Sequence, residues 1–367
     1  MRVRIVHRGY FPARAGAEIM AQYLAESMSR RGHRVGLYSR AMDEESTRWM
    51  AKAGVDVQTL PASAPADDRP DVVHAFDSVT PDFPLAALQM AREWAVPFVY
   101  TPASAPQVWQ DRAAILDVSR QADAVFVLTE AERRMFRDEG VAESALHVIG
   151  QGPRLAADPR PERFRARHGI SGPMVLFLGR MMRSKGYGLL LEAARSVWRS
   201  HSETRFVFAG PPWDDDCRDV FAAYADPRIV ELGMLDEAGK ADALAACDVF
   251  CLPSTVDVFP LVFVEAWASG KPVVSSTFMG GDEVVRDGVD GLIAAPTAAG
   301  VAAAVGALLA DPLRAAAMGA AGRARAEREL GWEAVTDRVE AVCTALTAPA
   351  DQVGAGAHEP ETPERAG

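Results

Sequence analysis

Short apolar runs alternate with longer amphipathic stretches along almost the whole chain. The first two runs, "VRIVH" and "RVGLYS", flank a stretch in which Met20, Leu24 and Met28 recur at every fourth position. That spacing places the three side chains on one face of a helix. The runs themselves have the length and the β-branched composition of strands. Strands and helices that alternate in this way predict an α/β fold, in which parallel strands are joined by crossover helices.

The alternation occurs twice along the chain. The predicted strands of the first half are "VRIVH", "RVGLYS", "DVVHAF", "PFVYT", "AVFVLT" and "LHVIG", and those of the second half are "MVLFLG", "RFVFAG", "IVELG", "VFCLPS", "PVVSST" and "GLIAA". Between the halves, residues 151–167 contain three prolines and no periodicity, which is typical of a linker. The pattern therefore predicts two doubly wound domains in series, facing each other across a cleft.

The boundaries of these parts follow from the same pattern. The predicted segments are an N-terminal, acceptor-side domain (1–152), a linker (153–168), a C-terminal, nucleotide-binding domain (169–330), a C-terminal helix that packs back on the first domain (331–347) and a disordered tail (348–367).

Length and charge restrict the class of protein. The 367 residues are enough for about two domains with a core each. A formal net charge of −11, without a long Lys/Arg run, does not suit a nucleic-acid partner. The start reads as a strand and not as a signal peptide. No apolar stretch reaches the roughly eighteen residues that a transmembrane helix needs. We therefore expect a cytoplasmic protein.

The cysteines support this expectation and do not indicate a metal site. The chain has four, a number that suits a reducing compartment. Cys247 and Cys251 are spaced C-x3-C, but no second ligand pair accompanies them. We interpret both as core residues at the passage from a helix into an apolar strand.

Two cations follow the first strand of the second half, in "VLFLGRMMRSKGYGLLLEA". Arg180 and Lys185 lie at the carboxyl end of that strand, just before a helix, where open sheets of this kind bind ligands. The N–H groups and the dipole of a helix N-terminus already favour an anion there. Arginine adds a planar fork that suits phosphate, and lysine adds a mobile point charge. We interpret the pair as a diphosphate site; the alternative is two solvated surface cations.

A second stretch, "LPSTVDVFPLVFVEAWASGKPVVSS", supports this interpretation. A strand ends at Pro253, a loop carries Asp257, and the following helix holds Glu265 among apolar neighbours. An ionised carboxylate in such surroundings is costly unless it has partners. The hydroxyl groups of a ribose would supply them; a structural salt bridge is the alternative. The N–H groups of Phe259, Leu261 and Val262 could bind the sugar or the phosphate of the same ligand.

Four motifs in order carry a family resemblance: "YFPARAGAEIMAQYLAESMSRRGHRV", "GRMMRSKG", "PSTVDVFPLVFVEAWASGKPVV" and "GGDEVVRDGVDGLIAAP". Over about residues 1–347, the chain resembles the retaining glycosyltransferases of family 4, which have the GT-B fold with two Rossmann-like domains. The resemblance implies a hexosyl- or deoxysugar transferase that moves a sugar from a nucleotide diphosphate sugar to a hydroxyl acceptor. It implies neither a metal nor a cofactor, since cations and helix termini can take the charge of the leaving group.

The resemblance also implies roles for individual residues. Arg180 and Lys185 would bind the diphosphate, Asp257 the transferred sugar and Glu265 the ribose. The amide of Gly16 would lie across the cleft, near the phosphate or the acceptor. The full predicted set is Arg180, Lys185 and Asp257 as catalytic residues, and Gly16, Gly210, Phe259, Leu261, Val262 and Glu265 as donor-binding residues.

Several positions depart from the family pattern. The usual pair of glycines before "AE" is Ala15-Gly16, the first acid of the usual pair of glutamates is Asp257, and the usual N-G-V-D of the linker is "QGPR".

The usual histidine of a T-x-H pattern is Ala103 in "YTPAS". The resemblance implies that this histidine reaches the transferred sugar near its C6 hydroxyl, so alanine suggests a donor altered at C6 or a pentose. The alternative is that Thr101 or Ser104 replaces the histidine.

Other polar groups admit two interpretations. His74, at the end of "DVVHAF", either faces the cleft or lies satisfied in the core. The acidic residues Asp214 to Asp216 resemble a metal-binding D-x-D, but we interpret them as a cap of the following helix.

Little in the first half indicates the acceptor. Arg133, Arg134 and Arg137 form its one basic cluster, and Asp138 and Glu139 interrupt it. The sequence therefore gives little indication of a basic face for a lipid surface, and we expect a soluble small-molecule acceptor. Two rival functions remain at this point: a nucleotide-sugar hydrolase or epimerase on the same fold, and a non-catalytic GT-B binding protein.

Overall fold

The computed structural model of the chain describes residues 1–8, 16–40, 42, 44–59 and 69–348. Most of the glycine turn before the first helix, including Ala15, lies outside these residues. The same holds for the predicted tail from residue 349 onwards.

The first half forms a parallel sheet, seven-stranded within the described residues, in the order β3-β2-β1-β4-β5-β6-β7. Its strands are β1 (Arg2–His7), β2 (Arg34–Ser39), β3 (Asp56–Thr59), β4 (Val72–Phe76), β5 (Phe98–Thr101), β6 (Ala124–Val127) and β7 (Leu146–Val148). The α-helices between them are α1 (Gly16–Arg30), α2 (Glu44–Lys52), α3 (Asp82–Trp94), α4 (Arg112–Arg120) and α5 (Glu130–Asp138).

The second half forms another parallel sheet, six-stranded in the part that the structure describes, in the order β10-β9-β8-β11-β12-β13. Its strands are β8 (Met174–Leu178), β9 (Arg205–Ala209), β10 (Ile229–Gly233), β11 (Val249–Cys251), β12 (Val273–Ser275) and β13 (Gly291–Ile293). Its α-helices, with those that follow, are α7 (Tyr187–Val197), α8 (Cys217–Ala223), α9 (Glu237–Ala246), α10 (Leu261–Ala268), α11 (Gly281–Val284), α12 (Ala298–Ala310), α13 (Pro312–Glu329) and α14 (Trp332–Thr347).

The order of the second sheet positions the candidate site. The chain runs outwards from β8 in one direction through β9 and β10, and in the other direction through β11, β12 and β13. The point where the order reverses therefore lies between β8 and β11. In open parallel sheets, the crevice outside the carboxyl ends of the strands at such a point is where ligands bind.

The structure differs from the sequence analysis at one strand and in the linker. The pattern did not predict β3, because this edge strand is only half buried and reads "DVQT", without an apolar run. The predicted linker contains a helix, α6 (Pro161–Arg167), whose Phe164 is buried. Arg165 of α6 binds Asp248, 2.7 Å away, beside β11. Seven residues are too few to show a helical period, so this helix was missed.

The last helix returns to the first half of the chain. The guanidinium of Arg31, at the end of α1, donates to carboxylates of α14: those of Asp337 at 2.6 Å and of Glu333 and Glu340 at 2.8 Å each. The ring of Trp332, at the start of α14, stacks on that of Tyr23 in α1. Thus α14 packs on the helical layer of the first sheet.

The interior of both halves is apolar. Cys247 and Cys251 are completely buried, which confirms their interpretation as core residues. All four cysteines are free thiols.

Within the described residues, no single helix has the length and apolar composition of a membrane span. The stretches Ala298–Ala310 and Pro312–Thr347 meet those two criteria only together, across a bend of 101°.

Gly210, directly after β9, is required by the close approach of two loops. Its φ is +139°, and an added Cβ would lie 1.9 Å from the carbonyl oxygen of Gly179. We expect Gly210→Ala to lower the free energy of unfolding by about 1–3 kcal/mol. Urea unfolding measures this. The control is Gly306→Ala in α12, where a Cβ would meet none of the described residues within 4 Å. This change should stabilise the helix by up to ~1 kcal/mol. Equal midpoints for Gly210→Ala and the parent chain would contradict the argument.

Candidate active site

Two loops meet at the point where the order of the second sheet reverses. One follows β8 and carries residues 179–186; the other follows β11 and carries residues 252–260. The carbonyl oxygen of Ser184 accepts from the N–H of Thr255 at 2.8 Å and from the hydroxyl of Ser254 at 3.1 Å. Gly186 has φ +79°, and an added Cβ would lie 2.3 Å from the carbonyl oxygen of Pro253. The two loops thus form one continuous surface at the carboxyl ends of β8 and β11.

The structure brings together Lys185 and Asp257, which are separated by 72 positions in the sequence. The Lys185 ammonium lies 2.5 Å from Oδ2 of Asp257, and their side chains are 20% and 14% exposed. A charge-assisted contact of this length in a partly buried site is strong. The lysine predicted to bind phosphate and the acid predicted to bind the sugar are therefore in direct contact.

Arg180 lies in the same loop and is held by an aromatic ring. Its guanidinium carbon is 4.5 Å from the ring centroid of Trp213, in the loop after β9. Such stacking orients the guanidinium and leaves its N–H groups available. Among the described residues, no carboxylate forms an ion pair with Arg180. Its positive charge is thus available to an anion at the carboxyl end of β8.

The acidic residues after β9 brace this loop, and their interpretation as a helix cap is wrong. Asp216 is the residue before α8, but its side chain makes no capping hydrogen bond. It binds the guanidinium of Arg183 instead, and Asp214 accepts from the Arg183 N–H at 2.7 Å. Because Arg183 occupies these carboxylates, they do not cap the N–H groups of α8. Within the described part of the chain, no group of three or more His, Cys, Asp or Glu residues could hold a metal ion.

The start of α10 presents N–H groups without protein acceptors. In the described structure, no group accepts from the backbone N–H of Phe259, Leu261 or Val262. The first N–H groups of a helix have no partner within the helix itself. The carbonyl oxygen of Phe259 is occupied, since the side-chain amide of Gln151 donates to it. The three N–H groups predicted to bind the donor are therefore available.

Glu265, on α10, is 1% exposed and has protein partners. Its Oε1 accepts from the Lys240 ammonium at 2.6 Å and from the Arg154 N–H at 3.3 Å. Burial raises the pKa of the Glu265 carboxyl, and the ammonium of Lys240 lowers it in part. The salt bridge considered as the alternative is therefore present. The contact with a ribose stays a prediction.

The two glycines of the predicted set differ in their surroundings. Gly16 is the first residue of α1, and an added Cβ there would meet none of the described residues within 4 Å. Packing against the described part of the chain therefore does not require glycine at this position. Gly210 is required by its approach to Gly179, so its glycine character needs no bound ligand to explain it.

The surroundings of Ala103 decide between the interpretations of its neighbours. His74 is fully buried, its Nε2 lies 2.7 Å from the Thr101 hydroxyl, and burial lowers its pKa to about 3. His74 is thus a core residue, and Thr101, equally buried, does not replace the missing histidine. The Ser104 hydroxyl is 2.6 Å from that of Ser78. Ala103 itself has φ +51°, a strained conformation for a residue with a Cβ.

Sequence reasoning missed three residues that contact the predicted site: Trp213, Arg183 and Lys240. Arg183 and Trp213 have partners on another loop, which no local pattern reveals. Lys240 did leave a signal. It is a single cation in the otherwise weakly polar helix "EAGKADALAA", directly before a buried strand.

Comparison with families of known proteins agrees with this geometry. The family described as "Glycosyl transferase 4-like domain" matches residues 15–152, and "Glycosyl transferases group 1" matches residues 172–311. The phosphatidyl-myo-inositol mannosyltransferase of Mycobacterium leprae is 26% identical over 92% of this chain and 95% of its own length. The glycogen synthase of Mycobacterium tuberculosis is 30% identical over 78% of this chain and 71% of its own length.

Solved structures have the same fold. Anabaena HepE, crystallised with UDP and glucose, superposes with a TM-score of 0.79 over 94% of this chain and 100% of its own, at 17% identity. A glycosyltransferase from Rickettsia africae superposes with a TM-score of 0.76 over 94% and 98%, at 15% identity. The sequence matches cover both halves of the chain, and the superpositions extend across both sheets. The chain belongs to the GT-B glycosyltransferases of family 4.

Proposed function

We propose that the chain is a retaining glycosyltransferase that moves a sugar from a nucleoside diphosphate sugar to a hydroxyl acceptor without a metal ion. The observation that carries the proposal is the contact of Lys185 with Asp257, 2.5 Å long, beside the stacked Arg180. It joins a phosphate-binding cation and a sugar-binding carboxylate at the carboxyl ends of two central strands, where one donor molecule could contact both.

Stabilisation of the leaving group is the main catalytic effect in this proposal. When the bond between the sugar and the diphosphate breaks, negative charge grows on the phosphate oxygens. Arg180 and the N–H groups at the start of α10 are fixed before the reaction, so they stabilise that charge without reorganising. Lys185, which Asp257 holds beside them, adds a second cation when it exchanges this carboxylate for the phosphate. Asp257 then binds hydroxyl groups of the sugar, and closure of the two domains excludes water.

Product analysis tests this function. The chain is incubated with a panel of nucleoside diphosphate sugars and hydroxyl acceptors, and NMR of the product gives the anomeric configuration. Transfer with the configuration of the donor supports the proposal. Inversion would contradict the retaining mechanism. Release of free sugar in the presence of every acceptor would favour a nucleotide-sugar hydrolase on the same fold.

The acceptor is proposed only as a hydroxyl compound. The relatives are named for phosphatidyl-myo-inositol mannosyl transfer and for glycogen synthesis, so they do not support the expectation of a soluble small molecule. The three clustered arginines of the first half are each paired with a carboxylate: Arg133 and Arg137 bind neighbouring acids, and Arg134 binds Glu283 of α11 at 2.6 Å. The acceptor panel therefore contains inositol lipids in vesicles as well as soluble sugars.

Chelation should leave the rate unchanged. Asp214 and Asp216, beside the diphosphate loop, are occupied by Arg183, and Asp257 is paired with Lys185. Turnover is measured in EDTA and again after magnesium or manganese is added. Activity that EDTA abolishes and manganese restores would contradict a metal-independent reaction.

The donor sugar and the location of the reaction stay predictions. The Thr101 hydroxyl is bound to His74, so two hypotheses remain. Either the donor sugar is altered at C6, or Ser104 binds the C6 hydroxyl. A cytoplasmic site of action stays an expectation from the cysteine content.

A further inference from the structure

Lys240, on α9, is a lysine in an unusual position. It is 8% exposed, and its ammonium lies 2.6 Å from Oε1 of Glu265 and 3.2 Å from Oε2 of Glu237. Lysine is almost never this buried unless it is paired. Burying an ammonium costs several kcal/mol, which only close partners offset. The carboxylates of Glu265 and Glu237 are therefore what stabilise a cation at this buried position.

The groups around Glu265 form a balanced set of charges. Lys240 and Glu237 face it from α9, and Arg154 faces it from the linker, with its Nε 3.2 Å from Oε2 of Glu237. Among the described residues, Tyr23 of α1 is a further titratable neighbour, and burial raises its pKa to about 12, so it is neutral. Two cations and two carboxylates thus cancel. Loss of either cation would leave an unbalanced carboxylate next to the predicted ribose site.

The hydrogen bonds to Glu265 are one-sided. Both protein groups that donate to it, the Lys240 ammonium and the Arg154 N–H, use Oε1. Within the described residues, no group donates to Oε2. A carboxylate anchored through one oxygen has a fixed orientation, and its second oxygen keeps its lone pairs for another partner.

We propose that Lys240 is a positioning residue for donor binding, which holds Glu265 ionised through Oε1 and so leaves Oε2 as an acceptor for a ribose hydroxyl. This inference rests on the proposed function, because it assumes that a nucleoside diphosphate occupies the site. Glu265 was interpreted either as a ribose ligand or as part of a structural salt bridge. In this inference both hold, because the salt bridge with Lys240 keeps the carboxylate able to bind the ribose. Lys240 itself does not touch the donor.

The test is the pH dependence of nucleoside diphosphate binding in Lys240→Met, a variant of similar length without charge. Burial then raises the pKa of Glu265 unopposed by Lys240, and a protonated carboxyl is a poorer acceptor for the ribose. The carboxylate is present above its pKa and is lost as the pH falls through it. Relative to the parent chain, we expect affinity about tenfold weaker at the acid end of the pH range, and recovery as the pH rises.

Calorimetry is run with whichever of UDP, GDP, ADP and TDP binds the parent chain best. The affinity of the variant is divided by that of the parent chain at each pH, because the titration of the phosphates themselves affects both proteins equally and cancels in this ratio. Lys240→Arg keeps a cation and should restore a flat ratio. Inorganic pyrophosphate has no ribose, so its affinity should be equal in the parent and in Lys240→Met at each pH. If the ratio of the Lys240→Met affinity to the parent affinity did not change with pH, the inference would be overturned.

A second comparison holds even if Lys240→Met alone does not fold. The double variant Lys240→Met/Glu265→Gln has no charge at either position, so it leaves neither group unpaired. If Lys240 acts only through Glu265, the double variant binds the nucleoside diphosphate as well as Glu265→Gln does. Weaker binding by the double variant would show another role for Lys240. If the parent chain binds none of the four nucleoside diphosphates, the proposed function itself fails.

Discussion

Replacement of Arg180 or Lys185 by alanine should weaken nucleoside diphosphate binding about ten- to a hundredfold in each case. Each change removes one charge-assisted contact to phosphate, worth roughly 1.5–3 kcal/mol. Turnover should fall at least as far, because the phosphate charge grows as the sugar leaves and the lost cation mattered most there. Calorimetric titration gives the affinities, and initial rates with the best sugar donor give the turnover.

Arg183→Ala is the matched control, since Arg183 lies between these two residues in the same loop. Its side chain is 71% exposed and is bound to Asp216, so its charge is already paired. The bond that braces the loop backbone, from the Arg183 N–H to Asp214, survives the change. We therefore expect a much smaller loss than in the other two variants. Equal losses in all three would mean that only the net charge of the loop matters, which contradicts the assigned site.

Most of the fold could be predicted because buried parallel strands are apolar throughout. Runs such as "MVLFLG" and "RFVFAG" stand out from their polar surroundings, whatever they pair with. The edge strand β3 could not be predicted, since its residues are half exposed and its sequence is polar. The helix of Phe164 was missed for a different reason: its seven residues are too few to show a helical period, and the packing on α9 that stabilises it does not show in the local sequence.

The candidate site divides in the same way. The common location of Arg180, Lys185 and Asp257 could be predicted. Each of them follows a recognisable strand, and the carboxyl ends of parallel strands lie at one edge of a sheet. The partners of these groups could not be predicted. That Lys185 binds Asp257 depends on contacts between loops far apart in the sequence. Asp216 binds Arg183 and not the start of α8 for the same reason.

Asp257→Asn should separate turnover from nucleotide binding. Asp257 holds the Lys185 ammonium at 2.5 Å, so the carboxylate competes with phosphate for this cation. An amide has the same shape but no charge, and it releases Lys185. Affinity for the nucleoside diphosphate should therefore stay the same or rise. Turnover should fall about ten- to a hundredfold, because a charged contact to the transferred sugar is lost.

The separation requires both measurements on one preparation: calorimetry with the nucleoside diphosphate, which lacks the sugar, and initial rates with the complete donor. Asp216→Asn is the control, since it neutralises a carboxylate that contacts the same loop through Arg183 and not through Lys185. That variant should change neither quantity appreciably. If Asp257→Asn instead lost nucleoside diphosphate affinity in proportion to turnover, Asp257 would be shaping the loop around Lys185. Its assignment to the transferred sugar would then be wrong.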